Sequence, residues 1–579
     1  MRFTSWLLAG ALAGGVALHA RPAHACGGFF CDNSQPVNQA AERIIFTHNG
    51  DGTVTSVVQV LYQGPSERFA WVLPVPGRPE VGVSSNLAFS RLQQGTNPSY
   101  RINTTVEGQC REDFESDFGS GPRSPGMFAD AAVAFADGGS SAPPVTVVDS
   151  GSVGPYDYAT IALDPELEDP AEVAVQWLTD NGYDVTDLGR DRLGPYLAAG
   201  MNLIAFRLTK GADDGAIRPI VLTYTGTRPM IPIRPTAVAA EDDMGVMVWV
   251  LGAHRAIPTN YRHLVLNEAL LNWFSPGINY NDVVTEAANE AGGQGFVTED
   301  ARPSSELPEV FFDFEEYRPA DWSESSNLEL VRNLLSRYSG WDGAAELLTR
   351  YVAPPEGISP EQFASCPFCY IDEALVADLD REGFLADLED EVVAPMRDTQ
   401  TLLRSRPFST RFYTTMSAAE MTVDPEFDLN PDMGRYSNQH VAERVIECRR
   451  DVYQFEAPWR TTLPDGQVVR GRGNTWPFDL SSAMPAVRVI AQADTDGEPE
   501  EVMDNSAAIS AVIGAHNDAN PPGDIDGDGV VDPVRGVSLG GGAGSGGGCG
   551  GCSTNGNGSA GFAIVFGTLA LLRRRRKAA

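Results

Sequence analysis

The spacing of apolar and polar positions opens the chain as sheet. Residues 43–47 and 53–62 are rich in Ile, Val, Phe and Thr, and the cluster His48-Asn49-Gly50-Asp51-Gly52 between them predicts a hairpin. A third strand is expected at 69–73, and a short helix over 87–94, capped by Ser85 or Asn86 and closed by Gly95. Residues 115–143, dense in Gly, Ser, Pro and Ala, read as a long surface loop. Strand patterns resume at 145–148 and 156–163, and a helix over 170–180 begins on Pro170 and stops before Gly182. Further strands are expected at 201–208, 218–224 and 245–251. From 264 to about 393 the spacing turns helical: Leu328, Val331, Leu334 and Leu335 share one face over 327–338, and Ser359-Pro360-Glu361-Gln362 has the form of a capping box. Strand signals return over 459–469, across the turn Pro464-Asp465-Gly466. The pattern predicts an α+β fold in which strand-rich portions flank a helical insert.

Both ends of the chain stand outside this pattern. Residues 1–25 carry Arg2, an apolar run over 6–18, and small residues at Ala23 and Ala25, the form of a secretory signal peptide cleaved before Cys26. Ala23 stands where a lipoprotein signal carries Leu, so plain secretion is the expectation. At the other end, Cys549-Gly550-Gly551-Cys552 precedes a polar spacer, an apolar run over 560–572 and five cations at 573–577. Thirteen apolar residues span about 20 Å as a helix, short of a ~30 Å hydrocarbon core, so flanking residues must help the segment cross. The cations stay on the cytoplasmic side and leave the body outside. In order and content the tail resembles the MYXO-CTERM sorting signal of myxobacteria, with Cys549 and Cys552 as the sorting motif. That resemblance implies processing by a sortase-like membrane protease and display on the cell surface. A permanent single-pass membrane anchor is the alternative.

Composition sharpens this division. The 579 residues hold 42 Lys and Arg against 78 Asp and Glu, a formal charge of −36, which argues against a nucleic-acid partner. Without the two ends the body carries about −43, since the ends remove cations alone. The expected organisation is a signal peptide over 1–25, a secreted α+β body over 26–484, an acidic and Gly-rich stalk over 485–548 and the sorting tail over 549–579.

The body resembles the bacterial Domain of Unknown Function 2330 family over roughly residues 26–450. Four segments carry the resemblance: Cys26-Gly27-Gly28-Phe29-Phe30-Cys31, Phe69-Ala70-Trp71-Val72-Leu73-Pro74-Val75-Pro76, the stretch 290–299 from Glu290 through Gly292-Gly293-Gln294-Gly295 to Glu299, and Met421-Thr422-Val423-Asp424-Pro425-Glu426-Phe427. It implies a secreted bacterial domain and no mechanism.

The sharpest chemical motif lies in the stalk. Asp524, Asp526, Asp528 and Asp532 occupy positions 1, 3, 5 and 9 around Gly529 and Gly527, with the Val530 carbonyl at position 7, a convergence of hard oxygens suited to Ca²⁺. Arg535 stands at position 12, so the loop resembles dockerin or thrombospondin-type-3 loops, and calcium is expected to stiffen the stalk. Six further cysteines, Cys26, Cys31, Cys110, Cys366, Cys369 and Cys448, form an even set suited to disulfides in an oxidising compartment, with 15 possible connectivities. Cys366-Pro367-Phe368-Cys369 has redox spacing but follows a predicted helix start instead of a strand, which favours a structural bridge.

Catalytic patterns are sparse. His48, His254, His263, His440 and His516 form no metalloprotease motif, and no Gly-x-Ser-x-Gly elbow occurs. Gly292-Gly293-Gln294-Gly295 follows a helical stretch, so it reads as a helix C-cap and not a phosphate loop. Asp424, Asp428 and Asp432 have ligand-like spacing, yet Pro425 and Pro431 make an acidic loop the better reading. Two functions follow: a non-catalytic surface protein acting in adhesion, envelope structure or ligand binding, or a secreted hydrolase with a dispersed site. A histidine within hydrogen-bond reach of a Ser or Cys and an acid would favour the second.

Overall fold

The computed structural model describes residues 41–523 apart from 60–69, 112–144, 165–166, 182, 184–186, 209–216, 227, 238–239, 241, 276, 312–324, 339–340 and 342. The expected signal peptide, Cys26, Cys31, the expected loop over 115–143, the expected calcium motif and the expected sorting tail therefore lie outside the described residues. In chain order the first strands are β1 (Ala41–His48), β2 (Thr53–Gln59), β3 (Ala70–Val75), β4 (Glu80–Val83), β5 (Ser99–Gly108), β6 (Val145–Val153) and β7 (Tyr156–Leu163). Next come β8 (Asn202–Leu208), β9 (Ile220–Thr225), β10 (Met244–Gly252), β11 (Arg255–Pro258), β12 (Arg262–Leu266), β13 (Gly295–Pro303) and β14 (Phe408–Met416). The last are β15 (Phe427–Asn430), β16 (Gln439–Cys448), β17 (Pro458–Thr462), β18 (Val468–Arg472), β19 (Val487–Gln492) and β20 (Glu500–Asp504).

A ten-stranded mixed sheet, ordered β20-β19-β12-β13-β14-β10-β1-β2-β9-β4, organises the body. Its centre is β10, whose sequence Met-Gly-Val-Met-Val-Trp-Val-Leu-Gly is apolar on both faces and buried from Gly245 onward, as a strand covered on both sides must be. It pairs in parallel with β1 and antiparallel with β14. One edge of the sheet is β20, fully exposed and begun by Glu500 and Glu501, charges that discourage pairing with another chain. A second sheet, β3-β8-β7-β6, is covered by the helices Pro170–Asp180 and Asp187–Ala198, whose Ala174, Leu178 and Leu193 pack on Leu203 and Ala205. A third, β18-β17-β16-β5, shares the largest core with the main sheet through Trp459, Trp476 and Ile446.

The helical insert is present but shorter than the spacing predicts. Its helices, Asn327–Tyr338, Ala344–Tyr351, Pro360–Ser365, Arg381–Leu388 and Ala394–Arg404, close on Leu330, Leu334, Phe363, Phe384 and Met396 as a core of their own. The Ser359 capping box forms as expected, with reciprocal bonds to Gln362. Residues 264–266 and 295–303, expected to be helical, belong instead to the interior strands β12 and β13 of the main sheet. The reason is tertiary: β13 lies between β12 and β14, and burial on both faces erases the alternation that would mark it as a strand. Gly95 does not end its helix, which runs Asn86–Thr96 from the Ser85 cap; it gives room to Pro308, whose Cγ would lie 2.5 Å from an added Cβ.

The folded body extends beyond residue 484. β19 joins the main sheet, and the helix Ser506–Ala519 buries Ile509 and Ile513 in the largest core. Cys110 is bonded to Cys448, clamping the ends of the parallel pair β5–β16, and Cys366 to Cys369. Among the described residues no helix is long and apolar enough to cross a membrane.

Candidate functional site

The main sheet and the β5–β16 sheet meet at a cleft of about 380 Å³. Parallel pairing places Tyr100 of β5 directly opposite His440 of β16, and their rings stack at 4.6 Å with 24° between planes. The start of that pair is held by Asn438, whose carbonyl accepts from Ser99 N at 2.7 Å and whose amide donates to Asn97 O at 2.8 Å. Behind Tyr100 stands Trp273, edge-on at 5.3 Å. Tyr436 reaches the same place because its backbone bridges Ala301 of β13 in both directions. His440 thus sits between two tyrosines.

Glu268 orients the imidazole. It begins the short turn Glu268–Leu270 that follows β12, where Asn267 caps by accepting from Ala269 N at 3.2 Å. Glu268 Oε1 lies 2.6 Å from His440 Nδ1. A carboxylate only accepts, so Nδ1 is the donor, and in the tautomer this bond selects Nε2 is the acceptor. Nε2 makes no hydrogen bond among the described residues, and His440 lines the cleft. Glu268 Oε2 is also buried without a partner. One acceptor nitrogen and one acceptor oxygen are therefore unspent, and each favours a ligand that brings donors.

The floor is a buried ion pair. A register shift between Thr298 and Asp300 bulges β13 at Glu299, and a bulge re-aims side chains that a regular strand would alternate. Glu299 Oε2 lies 2.6 Å from Arg411 Nε, with both side chains nearly inaccessible to solvent. The two atoms are not aligned as a hydrogen bond, so the contact is ionic. Tyr280, the first residue of the helix Tyr280–Glu290, donates to Glu299 Oε1 at 2.6 Å. Arg411 Nη1 donates to Thr96 Oγ1 at 3.0 Å and Gln93 O at 3.2 Å, and the guanidinium lies 5.3 Å from the Trp249 ring centre.

Burial sets the electrostatics. It pushes the Glu299 carboxyl up, against the opposing pull of Arg411 and the Tyr280 hydroxyl. Tyr100 and Tyr280 are driven well above the usual phenol range by burial, with the carboxylates Glu268 and Glu299 adding to it, so both phenols stay protonated donors. Tyr436 is pushed up to about 12, first by burial and then by Glu268, while Arg255 and Arg488 pull it down. Arg488 of β19 and Asp465 of the β17–β18 turn complete the lining, 4.0 Å apart at their nearest atoms.

The residues singled out from sequence fall elsewhere. Asp424 accepts from Tyr196 and Ile233 N, Asp428 pairs with Arg228, and Asp432 accepts from Gly497 N, so each is spent separately in the loop. Among the described residues no group of three or more His, Cys, Asp or Glu is placed to hold a metal ion. Gly292 and Gly293 both have φ near +75°, and Gly293 N donates to Ala288 O, a helix C-cap as expected. Among the described residues no histidine is hydrogen-bonded to Ser or Cys: His263 Nδ1 meets Thr298 Oγ1 at 3.4 Å, His440 meets Glu268, and His516 meets Arg470 O. Reasoning from sequence missed the pairing of His440 with Glu268, 172 residues apart. The sequence offered a signal for Glu299 instead: it ends the segment 290–299 that carries the family resemblance and is followed by a second acid, Asp300.

Comparison with known proteins gives one result for the whole chain. No curated protein and no solved structure matches it. One family matches residues 20–313, a span that contributes Tyr100, Glu268, Tyr280 and Glu299 to the cleft, whereas Arg411, Tyr436, His440 and Arg488 follow it. Half the chain lies within that span, so the protein belongs to the bacterial family described as "Uncharacterized protein conserved in bacteria (DUF2330)".

Proposed function

We propose that this is an exported bacterial envelope protein whose body binds a small polar ligand in the cleft between the β5–β16 sheet and the main sheet. The observation that carries the reading is the cleft itself: about 380 Å³, walled by Tyr100, Tyr280 and Tyr436, with an imidazole held by Glu268 and an unspent acceptor on each of the two. Binding sites of this size pair apolar or aromatic walls with a few placed polar groups. Two disulfides in the body suit an oxidising compartment and support export. In this reading the tail, with Cys549 and Cys552, is cut by a sortase-like protease or holds the protein in the membrane, and the loop Asp524, Asp526, Asp528, Val530 and Asp532 takes Ca²⁺ to stiffen the stalk.

A hydrolase is the second reading, favoured by the oriented His440, which would accept a proton from water in the absence of a side-chain nucleophile. The experiment is a thermal-shift and calorimetric screen of the full chain against small polar compounds, run beside ester and amide turnover assays. Saturable binding lost in Tyr436→Ala supports the first reading. Turnover lost in His440→Ala supports the second. Mass spectrometry of the mature C-terminus tests the tail, and an intact 573–577 cluster refutes its processing.

A further inference from the structure

The lining of the cleft carries both signs of charge. Glu268 keeps a buried oxygen without a partner beside the His440 imidazole. The Arg488 guanidinium makes no hydrogen bond among the described residues, and its nearest acid, Asp465, is 4.0 Å away and already accepts from Gln467 N and Nε2 at 3.1 and 2.6 Å. Arg488 keeps about a third of its side chain accessible. Tyr436 lines the same cleft, its phenol raised by burial and by Glu268 and lowered by Arg255 and Arg488. The second charge of the interior, Glu299, is neutralised from behind by Arg411 and takes the Tyr280 hydroxyl, so it offers a ligand little.

We propose that the cleft takes a small zwitterion, an α-amino acid or a short peptide, with its ammonium on Glu268 and its carboxylate on Arg488. The inference rests on the binding reading above and names its ligand class. An ammonium supplies the donors that Glu268 Oε2 and His440 Nε2 lack, and its charge offsets that of a carboxylate held in a poorly hydrated wall. A guanidinium presents paired donors that match a carboxylate in plane. The tyrosine walls cover the ligand's carbon skeleton, and the ring faces attract the ammonium. A neutral saccharide would leave the Arg488 charge without a counter-charge, and a simple anion would meet Glu268 unshielded.

The test is calorimetry on the full chain with three matched sets of probes: free amino acids and dipeptides, their N-acetylated forms, and their C-terminal amides. Binding of the free forms should weaken about tenfold or more on either modification. Arg488→Gln should weaken the free form about tenfold and leave the amide unchanged, while Glu268→Gln should do the same for the free form and leave the N-acetyl probe unchanged. Arg488 lies at the rim, so its variant keeps the fold even where that of Glu268 does not. If modified and free probes bind equally, the zwitterion inference is overturned while the binding reading stands. It is likewise overturned if a neutral sugar or a simple cation binds in a way that Tyr436→Ala abolishes. If nothing binds at millimolar concentration, both fall.

Discussion

Replacing Arg411 by Met isolates the energetics beneath the cleft. Met fills much of the same volume but removes the ion pair to Glu299 at 2.6 Å, the two hydrogen bonds to Thr96 and Gln93, and the guanidinium beside Trp249. What remains is a carboxylate nearly devoid of solvent, held only by the Tyr280 hydroxyl. Breaking such a pair from one side costs about 3–5 kcal/mol, a large share of the ~5–15 kcal/mol that holds a folded protein together. The pH dependence gives a second reading of the same quantity. Burial already raises the Glu299 carboxyl, and Arg411 is the main cause that lowers it, so the substitution lifts it further. A carboxyl that is higher in the folded state than in the unfolded chain binds more protons when folded. Its penalty is therefore absent below the unfolded value near ~4.3 and grows as pH rises towards the folded value. Urea melts of Arg411→Met, followed by tryptophan emission, should lose several kcal/mol at pH 8 and markedly less at pH 5. Adding Glu299→Gln should restore at least half the loss at pH 8, because the stranded charge is gone. A loss below about 1 kcal/mol, equal losses at both pH values, or no rescue by the second substitution would refute the account.

Other consequences can be measured in the same way. The Cys110–Cys448 bridge closes a loop 338 residues long and Cys366–Cys369 one of three, so Ser substitutions at the first pair should cost about 6 kcal/mol and at the second about 2 in the chain-entropy limit; equal midpoint shifts in denaturant would contradict this. Burial beside Arg255 pushes His263 down to about 4, so its contribution to stability is complete above pH ~6.5 and is lost as pH falls towards 4, on the order of 3 kcal/mol. His263→Met should flatten that part of a melting-temperature profile, and an unchanged slope would show that another group sets it. Tyr156 donates to Arg218 O at 2.6 Å and accepts from Arg218 N at 2.8 Å in the core, so Tyr156→Phe should cost about 2–4 kcal/mol by leaving two buried backbone groups unpaired. Tyr158→Phe, whose hydroxyl is 3.4 Å from Asp149, should cost under about 0.5 kcal/mol in the same denaturation assay.

What could be read from sequence was what short-range physics decides. The apolar run of β10, the Ser85 and Ser359 caps, the Pro464-Asp465-Gly466 hairpin and the helix on Pro170 each depend on residues within a few positions of one another. The cleft does not. It needs Tyr100 in register with His440, Glu268 within reach of that imidazole, and one cysteine pairing out of 15. Strand register across hundreds of residues is set by which faces are buried together, and no local pattern specifies the partner. The misreading of 295–303 as helix has the same origin: a strand buried on both sides loses its period of two, and with it the clue to Glu299.

The place of β14 in the main sheet has a consequence in time. β10 and β13 belong to the span matched by the family, yet the strand that joins them is residues 408–416, beyond that span and beyond the helical insert. A ribosome adding about 5–20 residues per second leaves some 5–20 s between the end of β13 and the end of β14. Throughout that interval both strands present unpaired edges, so the nascent chain is at its most adhesive, and most in need of a chaperone, while the helices are being made. A fragment cut at residue 313 would be left in that condition permanently.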